Sequence, residues 1–266
     1  MPCIDDGAKS LSMALDMLRK AEDCGTAEVV LTPHHLNGAF NNPASRIQEA
    51  FDQFDNEVKT VGIRIKLHLS SEVHMAPEAA DQLLSGRALT YCNLGKAALI
   101  EPPKRNLPIG YQSLLAKLLG VGITPIIAHP ERNKFLRENP AEVDYLLDLG
   151  CKVQITAQSL TGDFGVAIAK ASFDMLYKNQ VHLIASDAHR VEGRSPDLST
   201  AAELIAKRCG EEVAELLFYA NPKKLINGVD LASMQSKNSD AGLSYRDQSG
   251  ANQENLGLNR WFKRFF

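Results

Sequence analysis

Short apolar runs of strand length recur along this chain, and all but one of them lead into a histidine or an acidic residue. Helix-like segments separate the runs, and alternation of this kind predicts a parallel sheet covered by helices. The runs with such an end are 29–31 before His34, 65–69 before Glu72, 97–100 before Glu101, 125–128 before His129 and 183–185 before Asp187. In a parallel β/α barrel the carboxyl ends of the strands meet at one face, where active sites are built. The polar ends are therefore expected to converge on one pocket.

Six strands are predicted in all, and they lie at 28–31, 64–69, 97–100, 124–128, 152–155 and 182–185. At 266 residues the chain is long enough for one β/α barrel of about 200–250 residues, which we place at 1–230. Six strands are an awkward number for a closed barrel. In addition, the first recognisable element is a helix near Ser10, and the residues before it are too few to form a strand. A strand is therefore expected to be missing from the front.

The composition changes after about residue 230. Residues 231–266 are rich in Ser, Asn, Gln, Asp and Gly and have few apolar anchors, so this tail is predicted to be disordered. It ends in a basic aromatic tip at 259–266, which either docks on a partner or membrane surface or packs weakly on itself. Both alternatives stay open.

The overall charge argues against nucleic-acid binding, because a net charge of −3 leaves no basic footprint. No apolar run reaches the roughly 18 residues of a membrane span, and the first residues lack the features of a signal peptide. The five cysteines form no C-x-x-C pair, which argues against a disulfide framework and a zinc knuckle. We expect a cytoplasmic protein with no nucleic-acid partner and no transmembrane segment.

Histidine and carboxylate at the strand ends suit a divalent ion such as Mn, Fe or Zn. The D-x-H pair at Asp187–His189 is moderately specific, because it directly follows a strand. Glu72 and Glu101 stand where a core-facing apolar residue is expected, so each must bind a metal or pair with a basic side chain. Because His34 and His35 are adjacent and point in different directions, only one of them is expected to be a ligand.

The remaining histidines, His68, His74 and His182, are interpreted as structural or surface residues. Two arginines are more informative: Arg132 lies three residues past His129, and Arg194 lies five past His189. Their planar guanidinium groups match phosphate or carboxylate, which indicates an anionic substrate. The alternative is that each arginine lies on the surface of a loop.

Several segments, taken in order, resemble one family. They are Ile4–Ser10, Thr32–His35, Ser71–Val73, Ile127–Asn133, Gln154–Leu160 with Phe164-Gly165, and Ala185–His189. Over residues 2–228 they are similar to the manganese-dependent tyrosine-protein phosphatases of the polymerase-and-histidinol-phosphatase (PHP) superfamily, which are found in bacterial capsule and exopolysaccharide loci.

The resemblance implies a distorted (β/α)7 TIM-like barrel with a cluster of Mn²⁺ ions at its C-terminal face. The positions that match the family's metal ligands are Asp6, His34, Glu72, Glu101, His129, Asp187 and His189. Arg132 and Arg194 match its catalytic, phosphate-contacting arginines. The implied activity is phosphotyrosine hydrolysis, and the implied partner is the phosphotyrosine tail of a bacterial tyrosine kinase that controls capsular or exopolysaccharide synthesis.

One departure from the family concerns the start of the barrel. The family opens with a strand ending in H-x-H, followed within a few residues by the segment found here from Pro2. The absence of that strand agrees with the count of six strands. We hypothesise either that the start was misassigned within a longer natural protein, or that the protein is shortened and weakened or inactive.

Two rival functions follow from these features. An amidohydrolase-like metal hydrolase would act on C–N bonds, but such barrels often carry a carboxylated lysine after a strand, and no lysine occupies such a position here. A non-enzymatic barrel would bind the phosphorylated kinase tail through its arginines without turning it over. The H-x-H departure keeps this second rival open.

Overall fold

The computed structural model describes residues 1–234, in which strands alternate with helices. The strands are β1 (Glu28–Leu31), β2 (Lys66–Leu69), β3 (Glu72–His74), β4 (Ala97–Glu101), β5 (Thr124–Ala128), β6 (Lys152–Thr156) and β7 (Leu183–Ala185). The helices are α1 (Leu11–Asp23), α2 (Ala44–Thr60), α3 (Ala79–Leu84), α4 (Tyr111–Gly120), α5 (Lys134–Glu138), α6 (Pro140–Asp148), α7 (Ala157–Thr161), α8 (Val166–Tyr177), α9 (Ser199–Cys209), α10 (Glu211–Glu215) and α11 (Asn221–Ile226). Two 3-10 turns cover Tyr91–Asn93 and Pro130–Arg132, and a π-helical turn covers Leu216–Ala220.

All strand pairings in residues 1–234 are parallel. β1 pairs with β2 in a small sheet, and β3 to β7 follow in chain order in a second sheet. Only Ser70 and Ser71 separate β2 from β3. A single parallel bridge between His34 and Glu72 continues the β1–β2 pairing across this break. The strands therefore form one row that runs in chain order.

The break between β2 and β3 is held by a buried serine. Ser71 Oγ donates to Leu89 O at 3.1 Å and accepts from the Leu89 N–H at 3.0 Å. The apolar alternation of the sequence stops at Ser70, so the prediction of one strand at 64–69 missed β3 and counted six strands where the described residues form seven.

The row of strands curves, because side chains from its two ends belong to one inner cluster. Val30 of β1 and Leu183 of β7 both belong to this cluster, together with Leu99 and Ile126 from the middle strands. Leu225 of α11 also belongs to it. Residues of the opposite parity on the strands face the helices instead, as the two-residue period of a strand requires. They include Ile100, Ile127, Val153, Ile155 and Ile184.

The row does not close within the described residues. No strand of residues 1–234 pairs with the outer edge of β1 or of β7. A cavity of about 370 Å³ is lined by both strands and extends to Asp5, His34 and Asp187. All four residues of β1 are only half-buried, as expected of a strand with one open edge.

The expected α/β fold with parallel strands covered by helices is confirmed. Ser10 caps α1 as the sequence indicates, because its side chain accepts a hydrogen bond from the Met13 N–H. A closed (β/α)7 barrel with one strand missing is a finer statement, and the described residues do not establish it. No helix of residues 1–234 has the length and apolar character needed to cross a membrane.

The predicted domain boundary at 230 falls close to the end of the described chain. Leu231 and Met234 are both buried against the domain, so the packed part continues at least to Met234. Residues 235–266 lie outside the described residues, and with them the basic aromatic tip. The disorder of the tail and the docking of its tip therefore stay predictions.

His182 gives the fold a defined dependence on pH. It is 3% exposed, its Nδ1 accepts from the Val153 N–H at 3.3 Å, and its carbonyl accepts from Asn221 Nδ2 at 2.9 Å. Burial lowers the pKa of His182 to about 4, because an imidazolium there would lose its hydration. An unfolded chain, by contrast, would protonate this ring near pH 6.5.

We therefore predict that His182 stabilises the fold fully above pH 6.5 and that this contribution is lost as the pH falls towards 4, by about 3 kcal/mol in total. His182→Asn keeps an acceptor for the Val153 N–H and removes the titration. Urea unfolding of both proteins between pH 7.5 and 4, with chelator present, measures the difference. Parallel pH profiles for the two proteins would contradict the assignment.

Candidate metal centre

Period-two alternation brings the two predicted glutamates to the inner face of the sheet. Leu99 belongs to the inner cluster, and Glu101 follows it two residues later on the same face. Glu72 pairs in register with Leu99, and its neighbour Val73 packs into the core between the strands and the helices. Both carboxylates thus stand directly beyond the apolar interior. Glu101 ends β4, and Glu72 opens β3 just after the break that follows β2.

Asp6, His34 and His189 form a first group of possible metal ligands. Asp6 Oδ1 lies 3.5 Å from His34 Nε2 and 3.3 Å from His189 Nε2. The three residues come from the segment before α1, the loop after β1 and the loop after β7. One oxygen and two imidazole nitrogens within this reach of each other can share one cation.

His34, Glu72 and Glu101 form a second group. His34 Nδ1 lies 3.3 Å from Glu72 Oε2 and 3.8 Å from Glu101 Oε2. His34 therefore belongs to both groups through its two ring nitrogens. A neutral imidazole has only one nitrogen lone pair for a metal, since the other nitrogen carries the proton. The ring can thus coordinate a cation in one group and donate its N–H to the other.

His129 faces both glutamates. Its Nε2 lies 3.4 Å from Glu72 Oε1 and 3.7 Å from Glu101 Oε1. Burial alone would lower the pKa of His129, but the contact with Glu72 raises it above its ordinary value. Burial raises the pKa of Glu72, because a carboxylate loses hydration there.

Two of the predicted ligands take left-handed backbone conformations. His129 has φ of 35° and Asp187 has φ of 49°. Such angles are uncommon outside glycine, and they turn the chain sharply at the ends of β5 and β7. Strain of this kind is retained where the surrounding structure holds the residue in place, and it is frequent at functional sites.

Asp187 has cationic partners of its own. Its Oδ2 accepts from Arg132 Nη1 at 2.5 Å and also from Arg194 Nη2. Burial would raise the pKa of Asp187, but Arg194 and neighbouring cationic groups hold it below its usual value. Asp187 is in neither ligand group of the described residues, and its oxygen Oδ1 lies 3.8 Å from His189 Nδ1. Its role as a ligand stays a prediction.

A divalent cation fits the donors that these residues offer. Asp6 Oδ1 and His34 Nδ1 are buried, yet neither has a hydrogen-bond partner. Buried polar atoms are almost always hydrogen-bonded, so two orphaned donor atoms in one cluster need another partner. Carboxylate oxygen and imidazole nitrogen without thiolate form a donor set for ions such as Mn²⁺, Fe²⁺ or Zn²⁺. The atoms without hydrogen-bond partners and the chemistry of the donor groups therefore both fit a divalent cation.

Hydrogen bonds to the backbone hold the two amino-terminal ligands together. Asp5 Oδ2 accepts from the His34 N–H at 3.0 Å, next to Asp6. Asn42 Nδ2 donates to both Ile4 O and His34 O, at 3.0 and 2.9 Å. Asn42 is fully buried, so this link is shielded from water. The loop after β1 and the segment before α1 are thereby tied into one unit.

The neighbouring histidines take different positions. His35 turns away from the site, and its Nδ1 contacts Asn42 O at 2.8 Å. His74, interpreted from the sequence as structural or surface, instead has Nδ1 3.8 Å from Glu101 Oε2 at the edge of the site. Its position follows from β3, since His74 shares the face of Glu72, but the sequence prediction lacked that strand.

Two aromatic rings near the site were not found from the sequence. Phe40 stacks on His34 with ring centroids 5.6 Å apart and an interplanar angle of 7°. The Arg132 guanidinium lies 5.1 Å from the centre of the Phe164 ring. Phe164 carried a signal, because Phe164-Gly165 belongs to the motifs noted above. Phe40 lies in a loop with no periodic pattern, so only the tertiary structure brings it to His34.

Comparison with known proteins supports a family assignment. The family described as "Capsular polysaccharide synthesis, CpsB/CapC" matches residues 1–227. The tyrosine-protein phosphatase YwqE of Bacillus subtilis is 34% identical over 217 residues, which cover 82% of this chain and 85% of YwqE. The tyrosine-protein phosphatase CpsB of Streptococcus pneumoniae is 31% identical over 228 residues, which cover 84% of this chain and 93% of CpsB.

A solved structure extends the likeness to three dimensions. It comes from the crystal structures of YwqE from Bacillus subtilis and CpsB from Streptococcus pneumoniae, described as unique metal-dependent tyrosine phosphatases. The superposition has a TM-score of 0.84 at 31% identity and covers 88% of this chain and 94% of the other. This chain belongs to the CpsB/CapC family of capsular polysaccharide synthesis proteins.

Proposed function

We propose that this protein is a metal-dependent tyrosine-protein phosphatase that hydrolyses phosphotyrosine. The observation that carries the proposal is the convergence of two guanidinium groups on Asp187, beside a cluster of carboxylates and imidazoles with unmet donor atoms. An anion-binding pair next to a cation-binding cluster suits a phosphate monoester. The names of the relatives and the metal dependence of the solved neighbours support the same reaction.

The substrate we propose is the phosphotyrosine tail of a bacterial tyrosine kinase that regulates capsular or exopolysaccharide synthesis. The description of the family as capsular polysaccharide synthesis proteins supports this assignment. A phosphorylated chain terminus can reach a site at the mouth of a sheet, where the strand ends leave the arginines partly exposed. The same assignment implies action in the cytoplasm, where such a tail would be phosphorylated.

The residues that would hold the metal are the seven predicted ligands. They are Asp6, His34, Glu72, Glu101, His129, Asp187 and His189. Their oxygen and nitrogen donors suit Mn²⁺, which we propose as the resident ion. A bound divalent ion supplies Lewis-acid polarisation of a phosphoryl oxygen and lowers the pKa of water. The protein contributes the fixed positions of the donors and a partly buried setting in which charge is poorly screened.

Arg132 and Arg194 would bind the phosphoryl oxygens and offset the negative charge of the transition state. Asp187 Oδ2 draws both guanidinium groups to one point, so the pair is already assembled before substrate arrives. Assembly in advance lowers the entropic cost of orienting the phosphoryl group.

The architecture we propose is a distorted (β/α)7 TIM-like barrel. In it β2 and β3, separated only by Ser70 and Ser71, count as one interrupted strand, and one further parallel strand lies between β7 and β1. The two open strand edges and the cavity of about 370 Å³ between them support this arrangement. The open edges of β1 and β7 leave backbone N–H and C=O groups unpaired. A strand placed in this gap between β7 and β1, which we call the slot, would form hydrogen bonds with them.

We predict that an added N-terminal strand ending in H-x-H, joined ahead of Pro2, raises both the melting temperature and the metal bound per chain. A matched strand with both histidines replaced by alanine should raise the melting temperature alone, because it fills the slot without adding ligands. Thermal unfolding and elemental analysis measure the two effects. Unchanged values for both would contradict the proposed architecture.

We predict that the Mn²⁺-loaded protein releases phosphate from a phosphotyrosine peptide, loses this activity with chelator and regains it with added Mn²⁺. Cyclic amides should not be hydrolysed, since the seven strands of the described chain include none that ends on lysine and two arginines favour phosphate. Phosphate release and amide hydrolysis are assayed side by side. Tight peptide binding without phosphate release would identify the non-enzymatic barrel instead.

Two histidine variants serve as a matched pair for this assay. His34→Ala should lose both metal and turnover, because His34 belongs to both ligand groups. His68→Ala should keep both, because His68 Nε2 contacts Glu28 at 2.7 Å and belongs to neither group. Equal metal content in the two variants would contradict the assignment of the ligands.

We predict that Arg132→Ala retains metal but lowers kcat/KM by several-fold to about a hundredfold, or on the order of 1–3 kcal/mol. The loss follows from removing one of two groups that hold the phosphoryl oxygens. Arg19→Ala is the control, because within residues 1–234 Arg19 pairs only with Asp16, on the exposed face of α1. Unchanged turnover in Arg132→Ala would remove Arg132 from the site.

A further inference from the structure

The two arginines lie on separate loops, and one segment contacts both loops. Arg132 follows β5 and Arg194 follows β7, while β6 lies between these two strands in the sheet. The segment 156–159, at the end of β6 and the start of α7, therefore sits between the two arginine-bearing loops. We call these four residues the β6–α7 segment.

The contact with the Arg132 loop runs through Glu131. The Glu131 side chain is fully buried, and its Oε1 accepts from the Thr156 N–H at 2.9 Å and from Ser159 Oγ at 2.7 Å. A buried carboxyl group is costly unless it is hydrogen-bonded, so these two donors fix Glu131 against the start of α7. Arg132 is the next residue, and its backbone position is fixed with that of Glu131.

The contact with the Arg194 loop runs through Gln158. Its side chain is 6% exposed, and its Nε2 donates to Ser195 O at 2.8 Å. Ser195 directly follows Arg194 in a loop that has no regular secondary structure. Among the side chains described, the amide of Gln158 is thus a direct tie between this loop and the sheet-anchored α7.

Holding the two guanidinium groups together requires such fixed supports. They meet at Asp187 Oδ2, where two positive charges repel each other, and a bound phosphoryl group would need both in one orientation. Long arginine side chains lose much rotational freedom when they are ordered. Loops that are already rigid therefore reduce the free-energy cost of bringing the two side chains into the binding geometry. Phe164, which follows α7, also lies against the Arg132 guanidinium.

We propose that Ser159 and Gln158 are positioning residues that set the two arginines for phosphoryl binding, Ser159 through Glu131 to Arg132 and Gln158 through Ser195 to Arg194. This inference rests on the proposed phosphatase function, since it assigns supports to that site's arginines. Neither residue touches the phosphoryl group. Each acts on affinity for phosphate through the arginine of its own loop.

The test measures the affinity of the Mn²⁺-loaded full chain for inorganic phosphate by calorimetry, together with kcat and KM on a phosphotyrosine peptide. Ser159→Ala and Gln158→Met should each weaken phosphate binding roughly three- to tenfold, the effect of one hydrogen bond. KM should rise more than kcat falls, and the metal content should stay unchanged. Ser159→Thr, which retains the hydroxyl, should restore binding. Gln48→Met, at an exposed position of α2, is the control.

Double variants separate positioning from general destabilisation. Gln158→Met should have no further effect on phosphate affinity in Arg194→Ala, but its full effect in Arg132→Ala. Ser159→Ala should show the reverse dependence, because it acts through the other arginine. Additive effects in every background would overturn the proposal and indicate a loss of stability alone.

The outcomes also separate this inference from the function on which it rests. If the unmodified protein hydrolyses the peptide while Ser159→Ala and Gln158→Met bind phosphate normally, the positioning role is wrong and the phosphatase stands. If the unmodified protein neither binds phosphate nor releases it from the peptide, the proposed function fails and this inference fails with it.

Discussion

The concentration of ionisable groups at one end of a parallel sheet is the constraint on which the rest of this structure depends. Glu72, Glu101 and Asp187 lie within or beside the mouth of the curved sheet, where water screens charge poorly. Such carboxylates must be offset, and the described residues offer His129 to the glutamates and two arginines to Asp187. The unmet atoms of Asp6 and His34 leave room for cations to complete this balance. Charge compensation and proposed catalysis therefore use the same side chains.

The scaffold around these charges is built from short links between loops. Asn42 ties the segment before α1 to the loop after β1, and Glu131 ties the loop after β5 to α7. Each link involves a buried polar side chain with backbone partners, which holds its geometry better than an exposed pair would. The open slot between β1 and β7 lies beside this framework and extends to Asp5, His34 and Asp187. The gap in the sheet and the candidate site are thus parts of one region.

The strands predicted from the sequence agree best with the structure where a continuous apolar run ends abruptly in polar residues. The apolar runs predicted β1, β4, β5, β6 and β7 closely, because buried parallel strands read as continuous hydrophobic stretches. The sequence prediction missed β3, because the break at Ser70 and Ser71 ends the apolar alternation while backbone pairing continues through the bridge between His34 and Glu72. The position of His74 was lost with that strand. Asp6 was named through the family resemblance, since an aspartate before a helix reads equally well as a cap.

The sequence by itself determined the parallel α/β fold and the set of acidic, imidazole and guanidinium groups at the strand ends, since both follow from local order along the chain. Only the tertiary structure decided how these groups are shared. It gives one His34 ring to two ligand groups, brings both arginines to a single oxygen of Asp187 and stacks Phe40 on His34. The contacts of His34 with Glu72 and of Arg132 with Asp187 join loops far apart in sequence. All of these contacts depend on the curvature of the sheet and on side-chain directions that no local pattern records.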